Sequence, residues 1–360
     1  MTISPASPTR MPAFGSDNMA GVSPQILEAL AACNGGTARS YGADEVSARL
    51  ERRFAELFER EVTVLLVSTG TAANTLCLAA ATPPWGAVLC HPLSHIENDE
   101  CGAPEFFTGG AKLVPVDGPL AKIDPEALLA KARDGKGDVH AVQPACVSIT
   151  QATELGTLYT PDEVAALGAV CRETGLALHM DGSRFANAVA ALGVSPAEMS
   201  WKVGVDLLSF GATKNGAMGV EAVLSFDPKR ARELALRRKR GGHLTSKMRF
   251  LAAQMEAYLA DDLWLANARH ANAMADRLGR GLAEVAGVEV QEGAEANILF
   301  CKLPDGMATA LLTAGFYFYA DRWAPNVVRL VTSFATTAAE VDLFIAAARG
   351  FALSPAGVGI

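Results

Sequence analysis

The sequence has few charges, few aromatic rings and no surplus of basic residues. Charged residues make up 19% of the 360 and aromatics 7%, and 31 Lys and Arg stand against 39 Asp and Glu, for a net charge of −8. An isoelectric point near 5.4 gives phosphates no general attraction, which argues against a protein that coats nucleic acid. No apolar run reaches the roughly 18 residues that a membrane helix needs. The first fourteen residues, MTISPASPTRMPAF, hold one Arg, three Pro and no apolar stretch, so a secretory signal is not expected. No fixed period marks a repeat architecture. Cys33, Cys77, Cys90, Cys101, Cys146, Cys171 and Cys301 lack paired spacing and read as reduced thiols of a soluble, cytoplasmic protein.

What is present is apolar surface to bury. Half the residues are AVILMFWYC and the mean hydropathy is +0.20, which excludes extensive disorder. So apolar a chain with so few charges is expected to cover part of its surface with another copy, as a homo-oligomer. At about 150 residues per domain the length suggests two domains.

Asp44 to Phe58 places Val46, Leu50, Phe54, Leu57 and Phe58 on one helical face. Short apolar runs follow at 62–67, 87–90, 112–116, 140–149, 176–180, 205–210 and 220–226, with helical patterns between them. Unbroken apolar strands of this kind suit a mainly parallel sheet covered by helices on both faces, an α/β architecture. From about Pro228 the texture changes. A basic stretch, RARELALRRKR, leads through GGHLTSKMRF into an Ala-rich helical region, and VEVQEG, NILFCKL, GFYFYA and VVRLVTS read as strands of a smaller α+β unit. The expected division is a tail over 1–13, a large domain over 14–255 and a small domain over 256–360.

Ligands of an open parallel sheet sit at the carboxyl ends of its strands, which selects four segments. In Val67-Ser68-Thr69-Gly70-Thr71-Ala72-Ala73-Asn74 a strand enters a small-residue turn and then an apolar helix. This suits an anion at a helix N-terminus, and equally a plainly capped helix start. Asp181 directly follows the apolar strand before it and needs a cation, for which Arg184 is one choice. Lys214 sits in the Gly-flanked turn Gly211-Ala212-Thr213-Lys214-Asn215-Gly216. It is either an ordinary solvated lysine or one desolvated enough to form a Schiff base with a carbonyl. His95 follows the 87–90 strand and suits ring stacking or proton transfer, or a simple loop hydrogen bond. Cys90, His91, His95 and Cys101 do not have zinc-ligand spacing, so no metal is expected.

Phosphate turn, histidine, strand-end aspartate and lysine, in that chain order, resemble the fold-type-I pyridoxal-phosphate enzymes. The words are closer still to the threonine aldolase family, the low-specificity L-threonine aldolases and their phenylserine aldolase relatives. They are F-G-S-D-N at 14–18, S-Y-G-A-D at 40–44, S-T-G-T-A-A-N at 68–74, S-H-I at 94–96, S-I-T-Q-A-T-E-L-G at 148–156, H-M-D-G-S-R at 179–184, F-G-A-T-K-N-G at 210–216 and V-R-L-V-T at 328–332. The resemblance covers roughly residues 14–350. It implies a mainly parallel seven-stranded sheet flanked by helices, with a smaller C-terminal α+β domain.

It also implies roles. Lys214 would hold pyridoxal 5'-phosphate, Asp181 would pair with the ring nitrogen and His95 would stack on the ring. Thr69, Gly70 and Thr71 would take the phosphate. Arg184 and Arg329 would hold the substrate carboxylate, with Ser16 nearby. Tyr41, Thr150-Gln151 and GGHLTSK are candidates for shaping the aldehyde pocket, the last from a neighbouring subunit. The implied activity is retro-aldol cleavage of L-β-hydroxy-α-amino acids to glycine and an aldehyde. The implied partners are those small molecules and further copies of the chain, in a dimer or tetramer with sites at the subunit boundary. Ile149-Thr150-Gln151 departs from the E-N-T-H word of many members, so a histidine that acts on the substrate hydroxyl there is missing; the chain resembles more closely the subgroup with S-T-G-T and T-Q-A-T, in which the base lies elsewhere, at His95 or a bound water. Three rivals remain: another fold-type-I enzyme such as a β-eliminating lyase or transaminase, a cofactor-free lysine aldolase, and a non-catalytic scaffold.

Overall fold

A computed structural model of the chain describes residues 12–353. Its large sheet contains β1 (Thr63–Val67), β2 (Gly86–Cys90), β3 (Lys112–Pro115), β4 (Gln143–Thr150), β5 (Ala177–Gly182), β6 (Leu207–Gly211) and β7 (Glu221–Ser225). Their spatial order is β1-β7-β6-β5-β4-β2-β3. Each strand answers to one apolar run of the sequence. Every residue of β2, β5, β6 and β7 is buried, as expected of strands covered on both faces. Neighbours from β3 to β6 are parallel, whereas β7 pairs antiparallel with both β6 and β1. The segment 212–220 accounts for this, because a parallel crossover needs about a dozen residues or more and a hairpin does not.

Helices are fixed locally before they pack. Asp44 caps helix Glu45–Leu57, its Oδ1 accepting from Ser47 N at 2.9 Å, and the buried Leu50 and Phe54 lie on the face read from the sequence. Helix Pro161–Thr174 opens with a capping box between Thr160 and Glu163 and closes at Gly175, whose φ of +74° suits a residue without Cβ. Phe210 on β6 gathers the rings of Phe54, Phe58, Phe185, Tyr258 and Trp264 at 5.5 to 6.3 Å between centroids. Such pairs contribute about 0.5–1.5 kcal/mol each beyond their burial, so β6 is firmly anchored just before the turn that carries Lys214. Helix Gly70–Ala81 has all of residues 72–80 buried and contacts β5, β6 and β7.

The chain divides into two compact units. One is Gly21–Arg269, and the other combines the described parts of Met1–Ala20 and His270–Ile360. The division expected near 255 falls inside helix Arg249–Leu259, whose Met255, Tyr258 and Leu259 are buried in the core of the first unit, so the chain does not part there. Residues 14–20 belong to the second unit rather than the first. Phe14 is fully buried there, 5.1 Å from the ring of Phe344; its N–H donates to Tyr317 O at 2.7 Å and its carbonyl accepts from Val331 N at 2.8 Å. Of the expected tail, residues 1–11 lie outside the described residues.

The second unit holds β8 (Glu289–Val290), β9 (Ile298–Lys302), β10 (Tyr319–Ala320) and β11 (Val327–Val331), antiparallel in the order β10-β11-β9-β8. No helix among the described residues is long and apolar enough to cross a membrane.

Candidate active site

The site forms where β5 ends. Asp181 is only 2% exposed. Its Oδ2 accepts from Asn74 Nδ2 at 2.8 Å, and its Oδ1 accepts from the N–H and hydroxyl of Ser183 at 3.0 and 2.8 Å. Burial pushes the Asp181 carboxyl up, but the charges of His95 and Lys214 and the Ser183 hydrogen bonds outweigh it and hold the group below its ordinary range. Asp181 is therefore ionised at neutral pH. The groups that lower it through charge are His95 and Lys214. Arg184, the candidate offered by the sequence, is buried at the start of helix Phe185–Leu192.

His95 begins the short helix His95–Asn98 and directs Nδ1 at Glu100 Oε1, 2.8 Å away. That hydrogen bond, helped by Asp181, raises the pKa of the imidazole against burial and the charge of Lys214. The sequence reading missed two members of the site. Glu100 is buried five positions after His95, and Asn74, one turn into helix Gly70–Ala81, gives an amide hydrogen to each of Glu100 and Asp181 at 2.8 Å. Only the burial of Glu100 in an otherwise polar segment distinguishes it, and burial is not visible in the sequence. Asn74 Oδ1 and Glu100 Oε2 are buried acceptors without a partner among the described residues, a condition native proteins seldom tolerate away from functional sites.

Lys214 is half-buried in a short 3-10 turn, Thr213–Asn215, that the fold holds from several sides. Ala212 N donates to Glu221 Oε2 at 2.7 Å, and the Asn215 amide donates to Tyr258 OH and Trp264 O at 2.8 Å each. Gly216 closes the turn at φ +117°, where a Cβ would fall 2.3 Å from Ser23 Oγ, so a side chain is excluded both by conformation and by space.

Thr69 caps helix Gly70–Ala81, its Oγ1 accepting from Ala72 N at 3.1 Å; Gly70 and Thr71 form the first turn. A Cβ on Gly70 would lie 3.6 Å from Ser183 Oγ, the hydroxyl that bonds Asp181. The helix N-terminus and the aspartate thus share a neighbour. The structure brings together Thr69, Gly70, Thr71, His95, Asp181 and Lys214.

Other sequence candidates have different surroundings. Tyr41 is half-exposed at φ +61°. It is tied through its N–H to Ser246 O at 2.9 Å, within the GGHLTSK segment, and Lys239 lies 5.1 Å from its ring. Gln151 has no exposed surface. Its amide pairs with both backbone groups of Tyr159, donating at 2.8 Å and accepting at 3.0 Å, so it braces the core rather than lining a pocket. In the second unit, Arg329 lies on β11, an inner strand between β10 and β9. It donates to Gly15 O at 3.4 Å, next to Ser16, and its guanidinium lies 5.4 and 5.3 Å from the rings of Tyr319 and Trp323. Ser16 caps a short 3-10 turn by accepting from Asn18 N. Of the weighed metal set, His91 has both ring nitrogens engaged, with Gly118 O and Leu93 N.

The sheet order and the charged residues at its strand ends define the fold-type-I class of pyridoxal-phosphate enzymes. An aspartate aminotransferase of Rhodobacter sphaeroides shares the fold, with a TM-score of 0.68 at 17% identity over 94% of this chain and 90% of its own. The chain matches the beta-eliminating lyase family over residues 13–303. It is 46% identical to the low-specificity L-threonine aldolase of Pseudomonas aeruginosa, over 85% of this chain and 88% of that protein. It is 44% identical to the enzyme of the same name from a Pseudomonas species, with the same coverage. The threonine aldolase of Leishmania major superposes with a TM-score of 0.88 at 30% identity, covering 94% of this chain and 99% of the other. The chain therefore belongs to the beta-eliminating lyase family, on its threonine aldolase branch.

That family depends on pyridoxal phosphate, and the site fits the group. A buried, ionised carboxylate suits a protonated ring nitrogen, a capped helix start of small residues suits a phosphate, and a half-buried lysine amine lies within their electrostatic reach.

Proposed function

We propose that this protein cleaves L-β-hydroxy-α-amino acids of the threonine, allo-threonine and phenylserine type to glycine and an aldehyde. The observation that carries the reading is Asp181, buried and ionised at the end of β5 opposite Lys214 and His95, in a chain 46% identical to a low-specificity L-threonine aldolase. Lys214, Asp181 and His95 are the proposed catalytic residues. Thr69, Gly70, Thr71, His95, Asp181, Arg184 and Lys214 are the proposed cofactor contacts. Ser16, Tyr41, Arg184 and Arg329 are the proposed substrate contacts, carried by their match to the family words.

When bound, pyridoxal phosphate supplies an electron sink for the pair released as Cα–Cβ breaks. The Lys214 Nζ amine would hold the cofactor and carry protons at that nitrogen. The Asp181 carboxylate would keep a proton on the ring nitrogen, where a neutral side chain would let it leave. The N–H groups of Gly70 and Thr71 and the dipole of their helix would hold the phosphate. Arg184 and Arg329, each by its match to a family word, would offer a planar fork to the substrate carboxylate, and such a grip would decide which bond at Cα is cleaved. His95 would take the β-hydroxyl proton as the aldehyde carbonyl forms and give it back, so that the proton lost from oxygen balances the one gained at Cα in glycine.

Two further readings belong here. The cysteine thiols support a reducing cytoplasm: all seven are unpaired, and burial pushes those of Cys77, Cys90, Cys171 and Cys301 up to about 12, where they stay protonated. Exposed Phe106, Trp85 and Leu236 support the association of copies into a dimer or tetramer.

The test is to incubate the holoenzyme and its Lys214→Ala variant with threonine, allo-threonine and phenylserine and to measure glycine and aldehyde. Wild type should release both, and the variant should lose turnover together with the cofactor fixed by borohydride. Formation of ammonia and a keto acid instead of glycine would assign the chain to the β-eliminating reaction.

A further inference from the structure

Glu100 has no part in the mechanism above, yet its carboxylate is completely covered while the His95 side chain keeps 32% of its surface exposed. Glu100 meets the site through the imidazole and the Asn74 amide. A carboxylate oxygen accepts at a contact of 2.8 Å, so the tautomer that satisfies Glu100 carries its hydrogen on His95 Nδ1 and leaves Nε2 as the basic position of a neutral ring. Asn74 completes the arrangement. Its one amide nitrogen donates at 2.8 Å to Glu100 Oε1 and at 2.8 Å to Asp181 Oδ2, bridging two buried carboxylates. Like charges that share a cavity without such a donor push one another toward protonation.

We propose that Glu100 is a positioning residue of the reaction: together with Asn74 it fixes His95 in one tautomer and orientation, so that Nε2 is the atom that takes and returns the β-hydroxyl proton. The inference rests on the retro-aldol reading and deepens it. The charged groups that act on His95 are Glu100 from the segment after its own helix, Asp181 from β5 and Lys214 from the turn after β6. Glu100 and Asp181 favour the protonated ring, and Lys214 and burial disfavour it. Of the favourable influences the Glu100 hydrogen bond is the largest, so its removal should be felt at His95 first.

The experiment follows the imidazole 15N signals of histidine-labelled holoenzyme with pH, in wild type, Glu100→Gln and Glu100→Asp, with His95 assigned by the signal lost in His95→Gln. In Glu100→Gln, His95 should titrate at lower pH and its neutral form should lose the Nδ1–H preference. The kcat for threonine should fall on the order of a hundredfold with KM little changed, and the acid limb of the kcat profile should move with the NMR midpoint. Glu100→Asp should recover part of each effect. Repeating the titration on cofactor-free protein reads the coupling without turnover. If Glu100→Gln does not fold, Asn74→Ser takes its place and should shift the same His95 signal. A His95 titration and tautomer that match wild type in these variants would overturn the proposal, whatever the rate. A rate loss explained by cofactor occupancy alone, with the His95 signals unmoved, would also overturn it. If wild type releases no glycine, the retro-aldol reading fails, while the NMR still decides whether Glu100 governs His95.

Discussion

Two histidines lie close to the same aspartate in different surroundings. His95, beyond the strand ends, shares Nδ1 with Glu100 and is shifted toward its charged form. His179, two residues before Asp181 within β5, has Ser148 Oγ at 2.9 Å and Ser209 Oγ at 3.0 Å, and burial pushes its pKa down to about 4 although Asp181 pulls the other way. Hydroxyls both donate and accept, so they satisfy a neutral ring; a carboxylate accepts only and favours a protonated one. Protonation here follows what the ring nitrogens meet rather than proximity to Asp181. The strand ends hold charge and the sheet interior beneath them excludes it.

The strongest test of this contrast removes the charge the two rings share. Asp181→Asn should lower the rate of glycine release on the order of 10²- to 10³-fold while cofactor, followed by its absorbance, still binds in part. A near-normal kcat would mean that another group serves the ring nitrogen. The next test acts on stability. Unfolded histidine takes up a proton near pH 6.5, and folded His179 does so only near 4. Its contribution is complete above pH 6.5 and is lost as pH falls from 6.5 to 4, by on the order of 3 kcal/mol. Urea midpoints at fixed protein concentration should show this fall, and His179→Asn should flatten it; an equally steep fall in the variant would place the acid sensitivity elsewhere.

The smallest expected effect has the opposite sign. Burial raises the Glu221 carboxyl from 4.5 to about 7 against the hydrogen bonds of Thr213 and Ala212 and the charge of Lys214. The stability tied to its protonated form is complete below pH 4.5 and is lost as pH rises through 7. Glu221→Gln keeps an acceptor for Ala212 N and cannot ionise, so the urea midpoint at pH 8 should rise, by roughly 1 kcal/mol in stability. A midpoint that drops would show that ionised Glu221 supports the lysine turn.

The charges at the strand ends were legible because they interrupt apolar runs: Asp181 closes a buried strand and Lys214 follows one within a Gly-flanked turn. Glu100 and Asn74 were not, because neither the burial of the one nor the long-range pairing of the other shows in the sequence. Asn74 meets Asp181 across 107 positions, and Glu100 reads as one more acid in I-E-N-D-E. The seven strands were legible as runs, but run composition does not encode direction. The length of segment 212–220 did carry the direction of β7. Thr150-Gln151 was read toward the pocket because its word matches a family motif, whereas the Gln151 amide is used up on Tyr159. The boundary near 255 followed a change of composition. Composition could not reveal that Phe14 crosses the length of the sequence to join Phe344.

Along β5 successive side chains alternate between faces. Ala177, His179 and Asp181 lie toward helix Gly70–Ala81, where Leu78, Asn74 and the Ser209–Cys77 pair await them, while Leu178 and Met180 enter the larger apolar core on the other side. Inserting or deleting one codon within this stretch would exchange the two sets. The carboxylate would enter an apolar layer without a donor, and an aliphatic side chain would face Asn74. Connecting loops elsewhere in such a fold can lengthen or shorten over evolutionary time. This strand can change its letters but not its count, so descendants of the sequence that keep its chemistry should differ here by substitution alone.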